Sequence, residues 1–220
     1  MFDTANVRNG GAVIDINGFS ITIGQKLVHS TVGGDNATDG GLTLKNSGAG
    51  GTLTLTNANT YTGATTISAG TLAINGTLAP ASAVTISSGA TLSGTGTIQG
   101  MVTNNGIIAS GSTNAIGKLT LTNLLTGSGT ILIDLTSPAT AGVTYDQING
   151  AGTLQVALSG PTMIQLNATS GTLTNGNYYL ITNTASLSGG QFVLTNGPTS
   201  LTNGTTILAL MNWSLGQPCR

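Results

Sequence analysis

Gly-Thr followed by Leu or Ile begins at Gly51, Gly70, Gly76, Gly96, Gly129, Gly152 and Gly171, with looser versions at Gly106 and Gly117. Two of these steps, 51 to 70 and 152 to 171, are equal in length. A recurring unit of about 20 residues constrains a chain strongly, because a unit that small cannot bury its own apolar side and must stack on its neighbours. Alternation shows what the unit is made of. Apolar residues recur at spacing two over short runs, as in VIDI (13–16), FSITI (19–23), LTL (42–44), LTLT (53–56), LAI (72–74), VTI (84–86), LTLT (119–122), ILIDL (131–135) and LQVAL (154–158). Period two over such lengths specifies strand, and no segment holds helical spacing for about ten residues. Asn-Gly pairs at 9, 17, 75, 105, 149, 175, 196 and 203 supply turns between the runs, since both residues tolerate positive φ. Asn-Gly also marks antiparallel hairpins, so the turns alone leave a sandwich open. The repeat selects the solenoid: two or three short strands per coil, inward Leu, Ile and Val stacked along the axis, outward Thr and Asn laddered beside them. The reading is an all-β chain forming one β-solenoid over 1–220, with N-terminal coils or a cap at 1–47, a repeat core at 48–135, and C-terminal coils and a cap at 136–220.

Charge narrows the function. Only 5% of the residues are charged and Glu is absent, against roughly 25% in an average soluble domain. Disordered chains are rich in Glu, Lys and Pro, whereas this one has 5 Pro and abundant β-branched residues. The five basic residues, Arg8, Lys26, Lys45, Lys118 and Arg220, are scattered, so the clustered footprint of nucleic-acid binding is missing. No apolar run approaches the roughly 20 residues of a membrane helix. The opening MFDTANVRNGG lacks the layout of a secretory signal, which leads to the expectation that any export signal lies outside this numbering. The single cysteine, Cys219, permits no disulfide within the chain.

Residues 48–74, GAGGTLTLTNANTYTGATTISAGTLAI, resemble the autotransporter-associated β-strand repeat, with its Gly-Thr-Leu-Thr-Leu strand, Asn-Thr-Tyr-Thr-Gly turn and second Gly-Thr-Leu strand. NGGAVIDINGFSITI and DGGLTLKNSGAG upstream resemble the lead-in to such repeats, and VTISSGATLSGTGTI, GIIASG and VTYDQINGAGTLQVALSG downstream resemble their last coils. The resemblance implies a right-handed parallel β-helix exported to the cell surface or beyond. It implies no activity, since function lives in sites grafted on a scaffold. The chain departs from a full autotransporter in showing no translocating barrel, whose aromatic girdles do not fit a composition of 4% aromatics.

Candidate chemistry is sparse. His29, the one histidine, has no G-x-S-x-G or similar nucleophile motif beside it and reads as a strand-edge residue. One His and one Cys cannot build a zinc site. The acids are Asp3, Asp15, Asp35, Asp39, Asp134 and Asp146; polysaccharide-cleaving β-helices gather several carboxylates on one face, and six Asp leave little material for that. Asp35 and Asp39, in GGDNATDGG, form the only close pair and are the candidate calcium ligands, against the preferred reading of a polar loop. Tyr61, Tyr145, Tyr178 and Tyr179 offer a sugar-stacking platform, against the preferred reading of packing at coil corners. Phe2 and Trp213 lie near the two ends and are the candidate end contacts.

The expectation that follows is a non-catalytic structural protein without cofactor or metal, extracellular or at the cell surface, and homo-oligomeric by axial stacking, because open sheet edges template further strands. The competing reading is an adhesin-type passenger that binds glycans or host surfaces through loops at 29–41 or 136–149.

Overall fold

The computed structural model describes residues 3–112, 115–136, 144–168, 176–196 and 207–209. Within this set there is no helix, and the strands wind as successive three-sided coils. The first coil is β1 (Thr4–Val7), β2 (Ala12–Asp15) and β3 (Ile21–Ile23). The second is β4 (Lys26–His29), β5 (Leu42–Lys45) and β6 (Thr52–Leu55). The third is β7 (Ala58–Asn59), β8 (Thr65–Ile67) and β9 (Thr71–Ile74). Next come β10 (Thr77–Leu78), β11 (Val84–Ile86) and β12 (Thr91–Gly94), then β13 (Thr97–Ile98), β14 (Val102–Asn104) and β15 (Ile107–Ser110). The sixth coil is β16 (Lys118–Leu121), β17 (Leu124–Gly127) and β18 (Thr130–Leu135). In the last two, one bent strand serves two faces: β19 (Gln147–Leu158) with β20 (Thr162–Ala168), and β22 (Ile181–Gly189) with β23 (Phe192–Asn196). A separate parallel pair joins β21 (Gly176–Tyr178) to β24 (Ile207–Ala209).

Through β16, each strand pairs in parallel with the strand three places on, with one exception between β4 and β7. This is the all-β parallel β-helix that the alternation and the repeat specify. At about 4.8 Å per coil, eight coils make a rod roughly 35 Å long. The core is a set of single-file stacks inside it. On the third face Leu53, Leu72, Leu92, Ile108, Ile131 and Ile164 lie in register, all of them buried. Burying each such side chain contributes about 1.5–3 kcal/mol, and each rung covers the one below.

The Gly-Thr-Leu/Ile motif does not mark one fixed point of the coil. At 51, 70 and 129 it opens third-face strands, at 76 and 96 first-face strands, and at 152 it lies inside β19; Gly171 falls outside the described residues. The short step from Gly70 to Gly76 turns a corner, whereas the step from Gly51 to Gly70 climbs one coil, pairing Thr52 with Thr71. Coil length varies too: the circuit from Leu92 to its partner Ile108 uses less than half the chain of the circuit from Ile131 to Ile164. Insertions leave at corners, so the stacks stay aligned. The motif's glycine has two separate causes. Gly70 has φ +78°, a left-handed turn that side chains resist. At Gly96 a Cβ would overlap the Gly76 carbonyl of the adjacent coil, so the backbones approach only without side chains.

At the β4/β7 exception only a bridge between Val28 and Thr60 forms. There the buried Asn59 side chain substitutes for the ladder, accepting the Leu27 N–H at 3.0 Å and donating to the Asn57 carbonyl at 2.7 Å. Ser110 is the opposite case. Its hydroxyl is buried with no hydrogen-bond partner among the described residues, at the end of β15 beside Gly94 of the adjacent coil. An unpaired buried hydroxyl costs about 1–3 kcal/mol, and alanine matches serine closely in volume. Ser110→Ala is therefore expected to raise stability by about 1 kcal/mol, read as a higher midpoint in urea unfolding with unchanged slope.

Candidate functional site

The polar side chains that looked like chemistry in the sequence cluster at two corners. The first is built on three stacked turns, because Ala12, Leu42 and Thr65 share a register and each follows a polar residue, a glycine and a small residue: Asn9-Gly-Gly, Asp39-Gly-Gly and Thr62-Gly-Ala. At a corner the backbone leaves the ladder and its N–H groups need other acceptors. Asp39 provides them. Its Oδ1 accepts from Gly41 N–H at 2.9 Å and Gly63 N–H at 2.8 Å, and its Oδ2 accepts from Thr62 N–H at 2.7 Å and the Thr62 hydroxyl at 3.0 Å. His29 Nδ1 lies 3.0 Å from the same Oδ2. Burial alone would raise the carboxyl above its ordinary range, but these donors outweigh it and hold Asp39 at about 2. With four N–H and O–H donors and the His29 ring on two oxygens, the carboxylate is a cross-coil brace.

His29 Nδ1 also lies 3.2 Å from the Thr62 hydroxyl. A relay to a nucleophile needs the carboxylate on one ring nitrogen and the nucleophile on the other. Here both share Nδ1, which fits the strand-edge reading of His29. Asp35 takes a two-oxygen contact from Arg8 Nε at 2.9 and 3.1 Å, which lowers its pKa through that hydrogen bond first. The loop between β4 and β5 is thereby tied to the first coil, and Asn9 adds a bond from the Asn36 N–H at 2.7 Å. The two calcium candidates thus have different protein partners instead of a shared oxygen cage, and among the described residues no three His, Cys, Asp or Glu side chains gather for a metal.

The second corner joins β18, β19 and the turn before β16. Asp134 and Asp146 are both fully buried. Asp146 accepts from Gly117 N–H at 2.7 Å and from Asp134 N–H at 2.9 Å, while Asn167 Nδ2 donates to Asp134 Oδ1 at 2.7 Å. Burial, aided by the adjacent Asp134 charge, pushes the Asp146 carboxyl up to about 7 against the opposing pull of the two N–H groups. Sequence spacing hides this pairing, because the two acids meet only through the chain's return from the third face to the first. The signal for the first corner was present, as the aligned polar-Gly-small triplets.

Tyr61, in the Asn-Thr-Tyr-Thr-Gly turn, is fully buried and its hydroxyl lies 2.6 Å from Thr65 Oγ1, which continues to Ser82 Oγ at 2.7 Å. Tyr145 is buried as well. Both pack at corners, leaving no stacking platform there. Phe2, Trp213 and Cys219 lie outside the described residues.

Residues 50–74 match the passenger-associated-transport-repeat family. That span begins just before β6 and ends with β9, which stacks directly on it, so the repeat is one circuit of the solenoid. No curated protein matches the chain.

Two outcomes follow. Asp39→Ala leaves several corner donors unpaired and is expected to lower stability by about 3 kcal/mol or more, measured by urea unfolding. For Asp146, the unfolded carboxyl ionises near its ordinary 3.8 while the folded one keeps its proton to about 7. The unfolded state then binds fewer protons between those values, so stability falls as pH rises through that window. A melting temperature higher at pH 5 than at pH 8 is expected, and a flat or rising profile would contradict it.

Proposed function

From the premise that this chain is an autotransporter-associated repeat protein, its repeat wound as a circuit of a parallel β-solenoid, we propose that it is a non-catalytic structural rod of the cell exterior that stacks end to end. The repeat family implies a secreted or surface passenger, and no helix among the described residues is long and apolar enough to cross a membrane. The observation that carries the rod reading is the state of the first coil. Ile21 faces inward in the same row as Leu53, yet it is 38% exposed where Leu53 is 0%. Ala12 and Ile14, which lie in the inward rows of Leu42 and Leu44, are likewise only half-buried where Leu42 and Leu44 are fully buried. Among the described residues β1, β2 and β3 are bonded on one side only. Three parallel strand edges around an apolar cross-section accept another coil, and where a second copy of the chain supplies that coil the heterologous contact propagates into a fibre.

The acids support the non-catalytic half of the reading. Asp35 is committed to Arg8, Asp39 to its corner donors, and Asp15 to the N–H groups of Asn17 and Ser47 at 2.9 Å each. Carboxylates held by the chain's own donors serve the corners they brace.

Electron microscopy of the purified chain is expected to show fibres one solenoid wide, and Ile21→Lys is expected to shift them toward dispersed rods. Dispersed single rods from the unmodified chain at high concentration would overturn the reading.

A further inference from the structure

The outer surface of the third face changes character along the rod. Over β15, β18, β20 and β23 its leading row is Ile107, Thr130, Met163 and Val193. Over β6, β9 and β12 the same row is Thr52, Thr71 and Thr91. The next outward row, two residues along each strand, is Thr54, Ala73 and Ser93, continuing to Ala109 and then Leu132. Small side chains in the second row sink the surface into a hollow of about 350 Å³. The corner glycines Gly51, Gly70 and Gly89 open a second one of about 260 Å³ beside it, and Thr71 lines both. One end of the larger hollow is walled by Gly111 and Ser112. These are held over the face by paired hydrogen bonds between Gly94 and Gly111, at 2.6 and 2.9 Å, and by the paired bonds between Ser112 and Ala115, at 3.0 Å each.

The hydroxyls in this trough contrast with those inside the rod. Tyr61, Thr65 and Ser82 are bonded to one another. Those of Thr52, Thr54, Thr71, Thr91 and Ser93 make no hydrogen bond among the described residues, and Ser93 lines the larger hollow while only 1% exposed. A hydroxyl that deep, without a protein partner and facing a hollow, is placed to bond a group that enters it. No ionisable side chain lines either hollow, so nothing there attracts or neutralises a charged polymer. No aromatic ring lines them, so recognition falls to hydroxyls that donate and accept alike.

We propose that this trough binds a neutral glycan in extended form, lying along the solenoid axis across the second to fourth coils. The three rungs of Thr52, Thr71 and Thr91 span roughly 10 Å, the reach of a short run of sugar units, and each rung presents hydroxyls at a spacing comparable to one pyranose. Asn75, whose Oδ1 accepts the Thr95 N–H at 3.2 Å, leaves its amide N–H groups at the rim of the larger hollow. The site is on the side of the rod and is independent of the end contacts proposed above.

The test is calorimetric titration of the full chain with cellotetraose, xylotetraose and mannotetraose, with a tetramer of galacturonic acid as the charged control. At least one neutral tetramer is expected to bind and the uronic tetramer to bind at least tenfold more weakly. Ala73→Leu fills the trough floor with a side chain that the same row already carries as Leu132, and is expected to abolish binding. Thr71→Val keeps the shape and removes one hydroxyl; about a fivefold to tenfold loss is expected, with the melting temperature as control for folding. Absence of binding by every neutral tetramer at millimolar concentration overturns the proposal, as do equal or tighter binding of the uronic tetramer and binding that Thr71→Val leaves unchanged. Fibre formation by microscopy should be the same in both variants, which separates this proposal from the rod reading.

Discussion

Everything in this molecule depends on the parallel register between one coil and the next. A pairing of each strand with the strand three places on places Leu53 on Leu72, Leu72 on Leu92 and Leu92 on Ile108, and the same pairing saturates the backbone between coils. Neither effect stands without the other. A slip by one residue would turn every inward Leu and Ile outward, so burial holds the hydrogen-bond register and the register holds the burial. A chain with 5% charged residues folds on these terms because its stabilisation comes from repetition of a small contact.

The corners are where that logic fails and where the polar residues are used. A strand can pair with the coils on either side along its length, but a turn pairs through only some of its groups, and the chain answers with a different device at each place. Asp39 gathers the N–H groups of two stacked turns, Asn59 replaces a missing ladder between β4 and β7, and Gly96 removes a side chain so that two carbonyl-lined turns can touch. The acids that a search for catalysis would single out are, at Asp39 and Asp146, consumed in this way. Their perturbed ionisation has opposite signs for one physical reason: Asp39 meets more donors than its burial costs, and Asp146 meets fewer and sits beside Asp134.

The outward surface is freer, and it varies. Coils two to four present threonines where later coils present Ile107, Leu132, Met163 and Val193. The core stack is unchanged beneath both, so the sides of the rod can carry different surfaces without disturbing the fold.

Much of this was legible in the residues. Period-two runs, Asn-Gly turns and the equal spacing of Gly-Thr-Leu units, as from Gly51 to Gly70, determine strands, corners and a stacked repeat, because strand alternation and turn conformation are local properties. Even the Asp39 corner had a signal, in the polar-Gly-small triplets that precede Ala12, Leu42 and Thr65. Proximity between coils of unequal length was not legible. Leu92 reaches Ile108 through less than half the chain that Ile131 needs to reach Ile164. Neither the meeting of Asp134 with Asp146 nor the alignment of Thr52, Thr71 and Ser93 around one hollow can therefore be read by counting. Composition and pattern made this chain a β-solenoid; only the tertiary winding decided which side chains share a corner or a trough, because it alone sets how much chain each circuit consumes.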